Sequence, residues 1–148
     1  MKIALPTTDF GVDIPFVKHL GLVLTVFGGG ESEIKFQPQP EYLNSFSVAH
    51  GGIVMTLLDV AMAMAARSDL DGPGVVTIEM KTSFMRPSLG PLTARGHIMH
   101  RTATMAFTQG TVFDEHGKVC AHATGTFKYV KRLATGARTV HALNTADK

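Results

Sequence analysis

The chain has 148 residues, of which 45% are hydrophobic and 18% charged, and its formal net charge is +2. That length suits one domain, the apolar share excludes disorder over most of the chain, and the weak charge leaves no footprint for nucleic acid as a partner. A single cysteine, Cys120, excludes an intramolecular disulfide and a cysteine-built zinc site, and fits a reducing compartment.

The N-terminus has no long apolar run of the signal-peptide kind. The most apolar stretch, residues 51–66, falls short of the roughly 20 residues needed to cross a bilayer. These features predict a soluble, cytoplasmic protein without a membrane partner. The seven histidines are scattered, and neither His97 with His100 nor His116 with His122 matches a metal-ligand spacing, so no metal is expected.

Residues 1–14 carry no clear period and are expected to form a mobile N-terminal segment. Pro15 opens a short helix that Gly21 stops. Residues 22–29 and 31–38 read as two strands of a hairpin, turning at Gly28-Gly29-Gly30. Residues 37–52, with two prolines and a terminal glycine pair, read as a loop. Residues 52–67 are the one long helical pattern, rich in Met, Leu and Ala and apolar nearly all round, so burial on most sides is expected. The run from Asp69 to Gly74 ends it. Strands follow at 75–87, 92–101, 105–115 and 118–130, with turns at Pro87–Pro91 and Asp114–Gly117. This is an α+β pattern: an antiparallel sheet of five or six strands whose buried face has one large apolar partner, the helix. One domain is expected over residues 15–130. The tail, 131–148, loses periodicity and is expected to be mobile or to dock weakly.

Asp59 is the one charged residue between His50 and Arg67, and its neighbours are Leu57, Leu58, Val60, Ala61 and Met62. An ionised carboxylate buried without partners costs several kcal/mol. Asp59 therefore either faces solvent on a thin polar stripe with Thr56 or serves as a general base or nucleophile. At the helix start, His50-Gly51-Gly52 supplies free backbone N–H groups, a helix dipole and glycines that admit close approach of a ligand. The same glycines also suit a plain loop-to-helix turn. Asn44 in the preceding loop is a third candidate. Asp59 lies nine residues beyond His50, on the order of 12–13 Å along a helix, so it cannot reach a carbonyl held by Gly51 of its own chain. If both act in one reaction, two copies of the chain must share each site, as a homodimer with two-fold symmetry.

The constellation Asn44, then His50-Gly51-Gly52, then Asp59 on one apolar helix, followed by a strand carrying Thr77, resembles the hotdog-fold thioesterase superfamily. Within it, the phenylacetate-pathway (PaaI-type) acyl-CoA thioesterases are the most similar branch. The resemblance covers about residues 15–130. It implies a hotdog fold, a curved antiparallel sheet wrapped round one long central helix, with active sites shared between two subunits that pair further into a dimer of dimers. It implies hydrolysis of an acyl- or aryl-CoA thioester with no cofactor beyond the CoA moiety of the substrate. The Gly51 N–H would polarise the thioester carbonyl, with Gly52 beside it, and His50 and Asn44 would orient that region. Asp59 of the other subunit would act as general base on water or as nucleophile through a mixed anhydride. Thr77 would help hold the attacking water, although a β-branched residue also suits a strand.

CoA phosphates call for cations, and Lys81, Arg86 and Arg101 are the first candidates, with Lys128, Lys131 and Arg132 behind them. Phe16, Leu20, Leu57 and Met62 are expected to line the acyl pocket. Cys120 has no inferred partner and reads as structural. Two other functions remain compatible with the same residues. One is a hotdog acyl-thioester dehydratase or hydratase using His50 and Asp59. The other is a non-catalytic acyl-CoA-binding module in which Asp59 is dispensable.

Overall fold

In the computed structural model, residues 2–131 and 140–145 are described. Pro15 starts α1 (Pro15–Leu20), and Gly21, at φ 72°, caps it in the left-handed region that glycine adopts without strain. Strands β1 (Val23–Gly28) and β2 (Glu31–Phe36) form the expected hairpin. A 3-10 turn, Pro40–Tyr42, interrupts the following loop. The long helix α2 spans Gly51–Arg67. Four strands complete the fold: β3 (Gly74–Phe84), β4 (Leu92–Arg101), β5 (Met105–Phe113) and β6 (Val119–Val130). In the β5–β6 turn, Asp114 accepts from the His116 and Lys118 N–H groups, both at 2.9 Å.

All six strands form one antiparallel sheet in the order β1-β2-β4-β5-β6-β3, curved round α2. The sequence places β3 directly after α2, yet β3 pairs with β6 and sits at an edge. The helix lies close on the sheet because small residues leave room for it. A Cβ on Gly96 of β4 would overlap the Ala61 carbonyl, and Met62 packs over Gly110 and Gly125. Ser32 donates to the Ala61 carbonyl at 2.6 Å, so a polar side chain buried against the helix keeps a partner. Leu57, Leu58, Ala61, Met62 and Ala65 have no exposure, and burying a large apolar side chain contributes about 1.5–3 kcal/mol.

Both chain ends make defined contacts. In residues 2–14, Phe10 is buried, Thr7 pairs with Leu24, and Val12 pairs with Val140. In the C-terminal segment, Leu143 is buried and pairs with Ile3. The two ends thus hold each other on the core through main-chain bonds and two apolar anchors. These contacts join residues over a hundred positions apart, which no local period reveals. Residues 132–139 and 146–148, also expected in the tail, lie outside the described residues. No described helix is long and apolar enough to cross a membrane.

Candidate active site

The sheet covers most of α2 but leaves one stripe open. Gly52, Met55, Thr56, Asp59, Val60 and Ala63 are the helix residues that retain exposure on this side. Their spacing follows the helical period, so they form one face. That face lines a cavity of about 650 Å³, roofed by the N-terminal residues Val12, Ile14, Phe16 and Val17 and flanked by Val75 and Met80. The near-uniform apolarity of α2 predicted burial on most sides. The open stripe arises because one sheet can wrap only part of a helix's circumference.

Asp59 is half-buried on this stripe. Its Oδ1 accepts a 2.7 Å hydrogen bond from the Thr77 hydroxyl on β3. A local irregularity in β3 makes that contact possible. The register with β6 slips between Thr77 and Glu79, so Ile78 is an extra, bulged residue. Thr77 opposes the buried Phe127, and Met80 opposes Gly125 under Met62. Both therefore face the helix although they stand three positions apart, which a regular strand would forbid. Thr56, one turn before Asp59, donates to the Gly52 carbonyl at 2.9 Å. Asp59 and Thr77 were expected to belong to one site, and the fold joins them directly.

The start of α2 is pinned by its loop. The Asn44 Oδ1 accepts from the Phe46 N–H at 2.9 Å and the Val48 N–H at 3.4 Å, closing a turn in which Ser47 takes φ 58°. The His50 N–H bonds the Tyr42 carbonyl, and the Ala49 N–H bonds the Ser88 carbonyl, both at 2.9 Å. His50 is the N-cap, and its Nδ1 accepts from the Gly52 N–H at 2.9 Å. A neutral His50 in this geometry carries its proton on Nε2. The cap satisfies Gly52, while the Gly51 N–H has no hydrogen-bond partner among the described residues. This unmatched donor at the positive end of a 17-residue helix is suited to a developing negative charge.

Gly51 and Asn44 open into a second cavity, of about 640 Å³, together with Phe46, Phe84, Met85 and Arg86. Asp59 and Gly52 open into the first. Eight residues of helix separate Gly51 from Asp59, about 12 Å. Within one chain the donor and the carboxylate thus face different spaces.

The other expected positions divide. Arg86 lies in the Gly51 cavity and donates to the Val119 carbonyl at 3.0 Å. Lys81 is exposed on β3, on the same side of the strand as Glu79, which faces away from α2 and accepts from Thr126. Arg101 lies at the opposite end of α2, 3.9 Å from Asp69. Lys81 is kept from the helix start by facing outward, and Arg101 by lying at the other end of α2. Leu57, Met62 and Leu20 are buried in the core, and of the four expected acyl-pocket residues Phe16 alone lines the cavity. The lining is formed instead by Met55, Val60, Ala63, Met64, Val75 and Met80. The signal that could have found Met55 and Ala63 is their four-residue spacing on either side of Asp59 along α2; Val75 and Met80 come from β3.

Cys120 is buried, with its Sγ 3.7 Å from both the Pro87 and Lys118 carbonyls, and burial pushes its thiol up from the usual range. Such a thiol is a poor nucleophile. His97 and His122 contact Gln109 and Thr111 on the outer face of the sheet, at 2.7 Å and 3.0 Å.

Comparison with known proteins gives a consistent result. The family model described as Thioesterase superfamily matches residues 46–121, from the loop before α2 into β6. Human acyl-coenzyme A thioesterase 13 is 27% identical over 132 residues, covering 87% of this chain and 86% of that protein. The E. coli PaaI protein from the phenylacetic acid degradation operon superposes with a TM-score of 0.75 at 22% identity, covering 80% of this chain and 86% of PaaI. A Bacillus halodurans protein solved with CoA superposes with a TM-score of 0.73 at 28% identity, covering 82% of each chain.

Proposed function

The chain belongs to the thioesterase superfamily and is a thioester hydrolase, and from that premise we propose that it cleaves an acyl- or aryl-CoA thioester to the free acid and CoA. The observation that carries the reading is Asp59, a half-buried carboxylate held by Thr77 at 2.7 Å on the one face of α2 that the sheet leaves open. Thr77 spends its only proton on Oδ1. Oδ2 is then the oxygen that takes a proton from water as general base, or that attacks the thioester carbon to form a mixed anhydride. In either route the carbonyl oxygen gains negative charge. The Gly51 N–H is the donor that receives it, with His50 and Asn44 fixing the helix start. The thioester is already activated, so one oxyanion donor and one carboxylate suffice. As general base, Asp59 passes the proton taken from water to the departing CoA sulfur while the water oxygen bonds the acyl carbon; as nucleophile, it expels CoA as thiolate, and water then cleaves the anhydride and supplies the thiol proton. Arg86, beside Gly51, meets the anionic CoA moiety.

The separation of about 12 Å along α2 requires that Asp59 of one copy work with Gly51 of a second. A two-fold pair then carries two such sites. Thiol release from a panel of acetyl-, octanoyl-, palmitoyl- and phenylacetyl-CoA tests the chemistry. Turnover by the wild type, lost by at least about two orders of magnitude in Asp59→Ala, is expected. CoA binding without thiol release would instead make the chain a binding module. Sharing has its own test. Asp59→Ala and Gly51→Pro, each inactive alone, should on subunit exchange regain about a quarter of wild-type activity, because half the pairs are mixed and each mixed pair has one intact site. An active monomer rejects sharing.

A further inference from the structure

The cavity beside Asp59 runs along α2 to Arg67, and its wall over that stretch is apolar, formed by Val60, Ala63, Met64 and Val75. At its far end Arg67, 9% exposed, donates from Nη1 to the Phe10 carbonyl at 3.2 Å and lies 3.2 Å from the Met64 Sδ. Arg67 also lines a separate cavity of about 560 Å³, bounded by the turn after α2 and by the C-terminal residues Val140 to Leu143. Arg67, held by its bond to Phe10, thus stands as a partition between two spaces. The Phe10 side is held firmly. Phe10 is buried, and Gly11, at φ 78°, packs where an added Cβ would lie 2.8 Å from the His141 carbonyl oxygen. The His141 N–H in turn donates to the Gly11 carbonyl.

We propose that this partition limits the length of the acyl group, making the substrates short- to medium-chain or single-ring acyl thioesters. The inference rests on the reading of Asp59 as the reacting end. Eight residues of helix set Arg67 about 12 Å beyond Asp59. An extended chain advances about 1.2 Å per bond, so about ten bonds span that distance. A longer chain would drive its apolar end against the guanidinium, straining the bond to Phe10 and pressing hydrocarbon against a charged group.

The test is kcat/KM across saturated acyl-CoAs from acetyl to palmitoyl for the wild type, Arg67→Ala and Ala63→Leu. Wild-type specificity should fall beyond decanoyl. Arg67→Ala joins the two cavities and should raise the palmitoyl-to-octanoyl ratio by about tenfold or more. Ala63→Leu fills the floor of the cavity and should lower the octanoyl-to-butyryl ratio by about tenfold. Ala63→Leu carries the test alone if Arg67→Ala does not fold. A wild type that prefers palmitoyl, or ratios unchanged in the folded variants, overturns the partition while leaving the hydrolase reading intact. No turnover of any acyl-CoA overturns both.

Discussion

Leu57 and Asp59 stand two positions apart on α2, on opposite sides of one helix. Leu57 has no exposure, packs under the sheet, and has a hydrocarbon side chain. Asp59 lines an open cavity and bonds a hydroxyl from the edge strand. The covered side maximises contact with small and apolar residues. The open side keeps its polar groups within reach of a ligand. A helix with little amphipathic contrast in composition is therefore strongly divided in environment, and the divide falls where the curved sheet stops.

Variants on each side measure that divide. Leu57→Ala should cost about 2–5 kcal/mol of stability, read by denaturant unfolding, because the packed site cannot collapse around the lost atoms. A loss of turnover at full stability would break the comparison. On the helix-start donor, Gly51→Pro should lower kcat by about two to three orders of magnitude with little loss of stability. Proline is tolerated at the first helical position, and His50, at φ −57° and ψ 141°, already has the extended backbone that precedes proline. Gly51→Ala keeps the N–H and should lose less than about tenfold, which identifies the donor and not the glycine as the active feature. Thr77→Val should lower kcat by about tenfold, since Asp59 loses the hydrogen bond that orients its carboxylate. An unchanged kcat would make Thr77 a strand residue only.

The smallest effect lies away from both sides of α2, on the outer face of the sheet. Burial there raises the Glu33 carboxyl, but Arg95 at 2.7 Å, Thr25 at 2.9 Å and Lys35 outweigh it and hold it below the usual range. A carboxyl lowered on folding stabilises above its unfolded pKa, and that contribution is lost as pH falls through the folded value. Glu33→Gln should therefore cost less than about 1 kcal/mol near neutral pH, with the difference vanishing in acid and turnover unaffected.

Much of the fold was legible because its signals are local. Pro15 and Gly21 bracket α1, the glycine triplet turns the first hairpin, and the Met-, Leu- and Ala-rich run marks α2 to within one residue. The site was legible as residue types at a spacing: Asp59 stood out as one charge in an apolar helix, and helix rise alone separated it from Gly51. What stayed illegible was direction. Leu57, Met62, Lys81 and Arg101 are of suitable type, but the first two face the sheet, Lys81 faces outward, and Arg101 lies at the wrong end of α2.

The sequence by itself determined the elements, their antiparallel class and the residues at the start and middle of α2, because propensity, turn chemistry and helical rise act within a few residues. Only the tertiary structure decided that β3 is an edge strand, that the Ile78 bulge turns Thr77 toward Asp59, and that the two chain ends close over the helix. Those outcomes depend on pairings between residues far apart in the chain. A strand's own alternation fixes which residues share a face, whereas its partner and a one-residue slip decide which face looks at the helix.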